Sequence, residues 1–245
     1  MAPMRILALY DIHGNVDALD AVLADPEAAG PDAVVVGGDA VPGPFGAATL
    51  DRLEALGVPT HFIRGNGERE VSEAVGAPEP PPEDLVRVTA ALTARELGDE
   101  RARALAGMPP TVELDDVLFC HATPRRDDEM LTRISDDARF EDALADVHVT
   151  LVVAGHTHQQ DDRAVGGVRF VNAGSVGLPY EGDGAARWVW IEDGEPDLRR
   201  TTYDAAAAGR RMLAAGWPDE RSLAAALIEP VEPMVVTELF EGMAR

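Results

Sequence analysis

The chain has 245 residues, of which 46% are hydrophobic, a proportion ordinary for a globular protein and too high for a disordered one. Its 44 acidic and 21 basic side chains give a formal net charge of −23, so long-range repulsion disfavours nucleic acid and anionic membrane surfaces as partners. Every basic residue is an arginine, which excludes Schiff-base chemistry on a lysine and a P-loop lysine.

The sequence contains one cysteine, Cys120, and no pattern typical of a secretory signal peptide. A disulfide framework within the chain is excluded, and nothing requires an oxidising compartment. The N-terminal residues MAPMRILALYDIH lead directly into an apolar strand pattern, and no apolar stretch is long enough to cross a bilayer. We therefore expect a cytoplasmic protein with no membrane partner.

The first 63 residues alternate strand patterns with helix patterns. Apolar residues recur at helical spacing from Val16, and a second helix pattern over 47–57 ends at Gly57. The apolar runs around them predict three buried strands, at 5–10, 32–37 and 59–65. This alternation predicts an α/β fold with a parallel sheet covered by helices.

The middle of the chain is predicted to be helical first and stranded afterwards. Residues 68–107 have helical character and are interrupted by a proline-rich connection at 76–84. Two short apolar runs flank Asp115-Asp116, which is a hairpin signal, and a helix is expected at about 137–146. Strand pieces separated by glycine turns follow from 151 to 202, where antiparallel pairing is expected.

The last forty residues read as helices followed by an apolar tail, PVEPMVVTELF. No internal repeat is visible in the sequence. We therefore expect one domain over 1–203, with a helical insertion at about 68–107. The extension over 204–245 is expected to pack on that domain or on a partner subunit of a homo-oligomer.

Five of the apolar runs end in polar side chains that are able to bind metal ions. In an open α/β sheet, ligands bind at the carboxyl ends of the strands, so these side chains should meet at one edge. Side chains two residues apart on an extended segment point the same way and can serve one centre. The residues concerned are Asp11, His13, Asp39, Asn66, His121, His156 and His158.

Carboxylate, imidazole and amide groups are the ligand types expected for Mn²⁺, Fe, Zn²⁺ or Ni²⁺. Seven such residues are more than one ion needs, and two ions about 3.5–4 Å apart with a bridging carboxylate would use them all. Each motif alone has a plain structural explanation. Asp39 would suit a turn or a helix cap, and Asn66-Gly67 is a strong turn dipeptide. Taken together, four of the six histidines follow apolar runs in this way, which favours a metal site.

These motifs, in this order, resemble those of the calcineurin-like metallophosphoesterases, and most closely the small single-domain bacterial and archaeal members. The resemblance covers residues 5 to about 192 and rests on six segments: DIHGN (11–15), GGDAV (37–41), GNGE (65–68), CHATP (120–124), GHTH (155–158) and NAGSVGLP (172–179). It implies an α/β fold that is a four-layer α-β-β-α sandwich of two stacked mixed sheets. Residues 1–203 are accordingly expected to form a metallophosphoesterase domain.

The resemblance also implies a dinuclear centre whose ligands can be transferred residue by residue. One ion would be held by Asp11, His13, Asp39 and His158. The other would be held by Asp39, Asn66, His121 and His156, with Asp39 as the bridge. We expect two divalent ions, with Mn²⁺ first and Fe, Zn²⁺ or Ni²⁺ as alternatives.

One position departs from the family pattern. Many members have a histidine directly after the Gly-Asn pair, where it contacts the phosphate and protonates the leaving group, whereas this chain has Gly67. Loss of a general acid typically costs 10²–10⁴-fold with a poor leaving group. The resemblance does not imply that Glu68 replaces the missing histidine as the general acid. Glu68 would alternatively orient the loop or cap the next helix.

The activity implied is hydrolysis of a phosphodiester, or also a phosphomonoester, by a hydroxide that bridges the two ions. Its substrate is expected to be a small, nucleotide-like phosphate ester. Asp39, Asn66 and His121 are the expected catalytic residues, together with Arg125, whose guanidinium would grip the phosphate. The alternative for Arg125 is a solvated ion pair. The alternative for the whole protein is a metal-binding scaffold without catalytic activity.

Overall fold

The computed structural model describes residues 4–218 and 223–244, within which ten strands form two five-stranded sheets. The first sheet has the strand order β10-β9-β1-β2-β3. In it β1, β2 and β3 are parallel, and β9 runs antiparallel to both β1 and β10. Its strands are β1 (Arg5–Leu9), β2 (Ala33–Val36), β3 (Thr60–Phe62), β9 (Ala186–Glu192) and β10 (Glu195–Thr201).

The second sheet has the order β4-β5-β6-β8-β7. Here β5, β6 and β8 are parallel, while β4 and β7 pair antiparallel at the two edges. Its strands are β4 (Thr111–Leu114), β5 (Val117–Cys120), β6 (Leu151–Ala154), β7 (Gln160–Val165) and β8 (Val168–Ala173).

The α-helices of the described residues begin and end close to the predicted positions. Asn15 caps the first of them, because its Oδ1 accepts a hydrogen bond of 3.1 Å from the Ala18 N–H. The helices are α1 (Val16–Leu23), α2 (Gly46–Glu54), α3 (Asn66–Ala74), α4 (Leu85–Leu97), α5 (Asp99–Ala104), α6 (Asp137–Ala143), α7 (Ala205–Ala214), α8 (Leu223–Ile228) and α9 (Pro233–Met243). None of these helices is long and apolar enough to span a membrane.

The two sheets are stacked, because successive side chains of the inner strands enter different cores. In β1, Ile6 and Ala8 pack with Phe119 and Val153 of the second sheet. Leu7 instead belongs to the core between the first sheet and its helices, and α6 covers the second sheet through a separate apolar cluster. The order of layers is therefore helix, sheet, sheet, helix, which confirms the expected α-β-β-α sandwich. Burial on both faces also explains why these strands appear in the sequence as unbroken apolar runs.

The structure agrees with the predicted hairpin and differs at two other places. Asp115 and Asp116 form the turn between β4 and β5, both with left-handed backbone (φ 51° and 63°). Asn66-Gly67 does not form an isolated turn, because it begins α3. The apolar tail is itself a helix, α9, and its Thr237 donates a 2.7 Å hydrogen bond to Gln159 of the domain.

Tyr10 links the two sheets by a buried hydrogen bond. Its hydroxyl donates to the carbonyl oxygen of Val153 over 2.9 Å, from the end of β1 to the middle of β6. Replacing Tyr10 by Phe keeps the ring and removes only this donor. We expect Tyr10→Phe to lower the free energy of unfolding by about 1 kcal/mol, measured by urea denaturation with an unchanged m-value. A change within error of zero would show that the hydroxyl does not couple the sheets.

Candidate metal centre

The carboxyl ends of the parallel strands of both sheets meet at one edge of the sandwich. From the first sheet, the segments after β1, β2 and β3 bring Asp11 with His13, Asp39 and Asn66 to this edge. From the second, the segments after β5 and β6 bring His121, and His156 with His158. The contacts described below connect these seven residues into one cluster. Most of them are buried, and the exposed fraction of Asp11 and of His121 is no more than 1%.

Backbone strain is concentrated in this cluster. Eight non-glycine residues of the described chain have left-handed φ values, and three of these lie in hairpin turns. The other five belong to the cluster: Asp11, His13, Asp39, His156 and His158, with φ between 50° and 70°. Such a backbone conformation costs on the order of 1–3 kcal/mol per residue and persists only where the surroundings enforce it.

The surroundings that enforce this strain are the neighbouring loops. The His13 N–H donates to the Asp39 carbonyl over 2.9 Å, which ties the β1 loop to the β2 loop. The Ser175 hydroxyl donates to the Asp11 carbonyl over 2.7 Å from the other side. The Asn172 side chain donates to the Gly155 carbonyl over 2.6 Å and so holds the loop after β6. Asn172 and Ser175 belong to a segment that the sequence motifs include, but their function as loop clamps is visible only in the structure.

Backbone carbonyls fix the tautomers of three histidines. The Nδ1 atoms of His13, His121 and His158 lie 3.3, 3.0 and 2.8 Å from the carbonyl oxygens of Pro42, Gly37 and Leu178. A carbonyl oxygen accepts only, so each Nδ1 carries the hydrogen. In a neutral ring the lone pair of Nε2 then points into the cluster.

The inward-facing atoms are acceptors that face other acceptors. His13 Nε2 lies 3.1 Å from His158 Nε2. His121 Nε2 lies 3.1 Å from Asn66 Oδ1, since the Asn66 amide turns its Nδ2 toward Glu70. Two lone pairs at this separation repel unless a proton or a cation lies between them.

Protonation of His13 does not relieve the repulsion at its Nε2. Burial, together with the neighbouring His158 ring, lowers the pKa of His13 to about 3, and burial together with His121 lowers the pKa of His156 to about 3. Both rings are therefore neutral at physiological pH. His156 Nε2 is also buried without a hydrogen-bond partner, and so is Asp11 Oδ1.

The carboxylates add negative charge to the same space. Asp11, Asp39 and Glu68 are 0%, 3% and 1% exposed, and no arginine of the described residues forms an ion pair with them. Burial and the neighbouring carboxylates of Glu68 and Asp11 raise the pKa of Asp39 well above its usual range. A bound cation would offset both this repulsion and that between the lone pairs, so the residues fit a metal site.

Two three-residue groups are close enough to bind an ion: Asp11 with His13 and His158, and Asp11 with Asp39 and His121. The carboxylate common to both groups is Asp11, whereas the family resemblance implies that Asp39 is the bridge. Asp39 also lies between the two groups, because its Oδ1 is 3.5 Å from His121 Nε2 and its Oδ2 is 3.9 Å from His13 Nε2.

Glu68 positions the loop that carries Asp39. One of its oxygens accepts hydrogen bonds of 2.8 Å from the N–H groups of both Asp39 and Gly65, and the other accepts from Val41 over 3.3 Å. It thereby orients the loop and caps α3, which is the alternative considered from the sequence.

The backbone packs so closely at Gly67 that a larger residue does not fit. Its N–H donates to Asp39 Oδ1 over 2.7 Å. A Cβ atom at this position would lie 2.3 Å from the Val41 carbonyl oxygen and 2.7 Å from Pro42 Cδ. A histidine like that of many relatives would therefore require the loop at 41–42 to move.

Arg125 lies away from the cluster in this structure. Its guanidinium binds Glu129 at 2.6 Å and Asp142 at 2.8 Å, and its neighbour Arg126 pairs with Asp128. No hydrogen bond or ion pair in the described part of the chain joins Arg125 to the seven ligand candidates. The ion-pair alternative describes this conformation, and a catalytic role for Arg125 stays a prediction.

A small cleft lies over the cluster and has a volume of about 190 Å³. His13, Asp39 and Asn66 line it, together with Pro42, Glu70, Val86, Thr89, Leu178 and Trp217. Sequence analysis does not identify Val86, Thr89 or Trp217 as site residues, because they come from segments without any ligand motif. A larger cavity of about 440 Å³ lies between α3 and α4 and contains none of the seven ligand candidates.

Comparisons with known proteins agree with this architecture. A family model described as the calcineurin-like phosphoesterase superfamily domain matches residues 4–192. A metallophosphoesterase structure from Sphaerobacter thermophilus is 24% identical with a TM-score of 0.74, over 93% of this chain and 99% of that one. A hypothetical protein from Pyrococcus horikoshii is 18% identical with a TM-score of 0.77, over 94% and 99%. Comparison with curated proteins finds no match.

The repulsion at Asp39 predicts that Asp39→Asn has opposite effects with and without metal. Asparagine tolerates left-handed backbone and keeps an oxygen for the Gly67 N–H, but it removes one buried negative charge. In EDTA at pH 7, we expect Asp39→Asn to be more stable than wild type, since burial and the neighbouring carboxylates that raise the pKa of Asp39 disfavour its charged form. With saturating Mn²⁺ the order should reverse. Thermal unfolding of both proteins tests this, and a variant less stable under both conditions would contradict it.

The low pKa of His156 predicts a pH-dependent loss of stability in the absence of metal. Its folded pKa of about 3 lies below the 6.5 of an unfolded histidine, so unfolding takes up a proton between these values. This contribution to stability is complete above pH 6.5 and is lost as the pH falls toward 3, at up to about 1.4 kcal/mol per pH unit.

Urea denaturation in EDTA between pH 3 and 7 measures this effect as the difference between wild type and His156→Asn. We expect the variant to gain stability relative to wild type as the pH falls. His148→Asn is the matched control, because His148 is exposed and lies outside the cluster. Parallel curves for wild type and His156→Asn would show that His156 is not held neutral by the fold.

Proposed function

This chain belongs to the calcineurin-like phosphoesterase superfamily, and from that premise we propose that it is a metal-dependent hydrolase with a preference for phosphodiesters. The observation that carries the proposal is the convergence of imidazole Nε2 atoms and buried carboxylates on one small space. This arrangement is unfavourable by itself and becomes favourable around divalent cations.

We assign the seven residues to two ions as the family pattern implies. Asp11, His13, Asp39 and His158 hold one, and Asp39, Asn66, His121 and His156 hold the other. When bound, two such ions supply an activated water near neutral pH and positive charge for the phosphate oxygens. The ligand types suit Mn²⁺ first, with Fe, Zn²⁺ and Ni²⁺ as alternatives, and the proposed site of action is the cytoplasm.

The chain's own contribution is to position these groups. The carbonyls of Pro42, Gly37 and Leu178 hold three imidazoles in the tautomer that binds metal. Glu68 fixes the backbone around Asp39, so this carboxylate keeps its place between His13 and His121. Preorganisation of this kind removes the need for the ligands to rearrange during the reaction.

Two features of the cleft favour a diester over a monoester. The position after Asn66 carries no proton donor, so the reaction depends on a leaving group that departs without one. None of the cleft residues has a guanidinium group, and Glu70 adds a carboxylate to the wall. A phosphodiester has one negative charge where a monoester has two at neutral pH, and it is repelled less.

The test compares bis-p-nitrophenyl phosphate with p-nitrophenyl phosphate, using protein stripped of metal and reloaded with Mn²⁺. We expect the diester to have the higher kcat/KM. Asp39→Asn should lower it at least about a hundredfold, as removal of one group that stabilises the transition state does. His148→Asn, on the exposed surface, should retain the wild-type rate. Binding of two ions per chain without turnover of either ester would favour the metal-binding scaffold.

A further inference from the structure

We infer that the cleft over the metal cluster takes a phosphate ester with a compact, uncharged aromatic or apolar group, which packs against Trp217 and Val86. The inference rests on the proposed function and adds the class of substrate to it. Its basis is the asymmetry of the cleft, because the floor is made of ligand candidates and much of the wall is apolar.

The apolar wall is formed by four side chains around the opening. Pro42 and Leu178 lie beside the metal cluster, and Val86 and Trp217 line the same cleft with them. Leu178 is largely buried, whereas Val86 is 57% exposed. The wall therefore continues from the buried cluster outward to solvent.

Val86 is exposed at the cleft instead of packing into the core. It lies in the first turn of α4, whose Ala90 and Ala94 make the buried contacts to the core. Large apolar side chains exposed beside a concave polar site commonly mark the place where a ligand's apolar part binds. Trp217 gives the same cleft an aromatic face, which suits stacking on a ring.

The volume of the cleft limits the size of this group. A cavity of about 150 Å³ holds one benzene ring, so the 190 Å³ here, part of which the phosphate would take, has room for no more than about one ring. A substrate larger than this would have to extend beyond the opening. The part that the cleft recognises is therefore compact.

The charges of the cleft limit the nature of the group. Glu70 is the ionisable side chain of the wall outside the ligand cluster, and no arginine of residues 4–218 or 223–244 lines the cleft. A second anionic group on the substrate would be repelled by Glu70 and would meet no cation among these residues. We therefore specify an uncharged ring or a short apolar chain.

The wall comes from segments other than those that carry the ligands. Val86 belongs to the helical insertion predicted at 68–107, and Trp217 belongs to the C-terminal extension predicted from residue 204. Substitution of either residue should therefore change substrate preference while it leaves the metal cluster intact.

The test uses two diesters with the same leaving group, phenyl p-nitrophenyl phosphate and methyl p-nitrophenyl phosphate, on Mn²⁺-loaded protein. Because p-nitrophenolate leaves in both, the ratio of their kcat/KM values reports the contact made by the other group. We expect wild type to favour the phenyl ester about tenfold, as expected for one stacked ring. Trp217→Ala should abolish this preference, because it should lower kcat/KM for the phenyl ester more than for the methyl ester.

A second variant keeps the test valid if Trp217→Ala does not fold. Val86→Asp changes an exposed residue and should lower kcat/KM for the phenyl ester more than for the methyl ester. Leu239→Ala is the control, because Leu239 is 59% exposed on α9 and does not line the cleft. It should leave both rates and their ratio unchanged.

The outcomes separate this inference from the proposed function. Equal kcat/KM values for the two esters in wild type, or a phenyl preference that survives both Trp217→Ala and Val86→Asp, would overturn the inference and leave the hydrolase intact. If wild type hydrolyses neither ester, the proposed function fails and the inference fails with it.

Discussion

The fold brings three histidine Nε2 atoms and two buried aspartates into one space, where no arginine of the described residues pairs with the aspartates, and the rest of the site depends on this unfavourable contact. The clearest example of this contact is the distance of 3.1 Å between His13 Nε2 and His158 Nε2. Backbone carbonyls on the outer ring nitrogens prevent the rings from turning away. The same edge contains five residues in strained left-handed conformation, which the fold must also stabilise. Bound cations would compensate the repulsion that the protein alone leaves in place, and the free energy of their binding would offset the cost of the strained backbone.

The stacked sheets make this contact possible because each brings its own set of groups to the shared edge. Carboxylates and Asn66 come from the first sheet, and three histidines come from the second. The hydrogen bond from Tyr10 to Val153 ties the two sheets together close to the site. Glu68 and Ser175 then hold the loops at the atoms next to the ligands. The cleft wall at Val86 and Trp217 comes from segments of the chain other than those that carry the ligand motifs.

Much of the fold and the ligand cluster could be predicted from the sequence, for physical reasons. Strands buried on both faces appear as unbroken apolar runs, and parallel strands must end at one edge, so Asp11, Asp39 and His121 were placed together by topology alone. The roles of Glu68 and Arg125 could not be predicted from strand patterns and topology. Glu68 acts through backbone N–H groups that no side-chain pattern reveals. Arg125 depends on which of several acidic neighbours its guanidinium meets, and the structure pairs it with Glu129 and Asp142. Trp217 reaches the cleft only through the path of the C-terminal extension.

The most direct test of the account is to count the cations and measure the coupling between them. Metal-free protein titrated with Mn²⁺ should bind two ions per chain. Its electron paramagnetic resonance spectrum should show an exchange-coupled pair, because a carboxylate shared as proposed would hold two ions about 3.5–4 Å apart. Asp39→Asn should lose the coupled signal, while His148→Asn keeps it. Binding of a single ion, or of two ions with the spectra of isolated Mn²⁺, would contradict the claim that this cluster is built around a bridged pair.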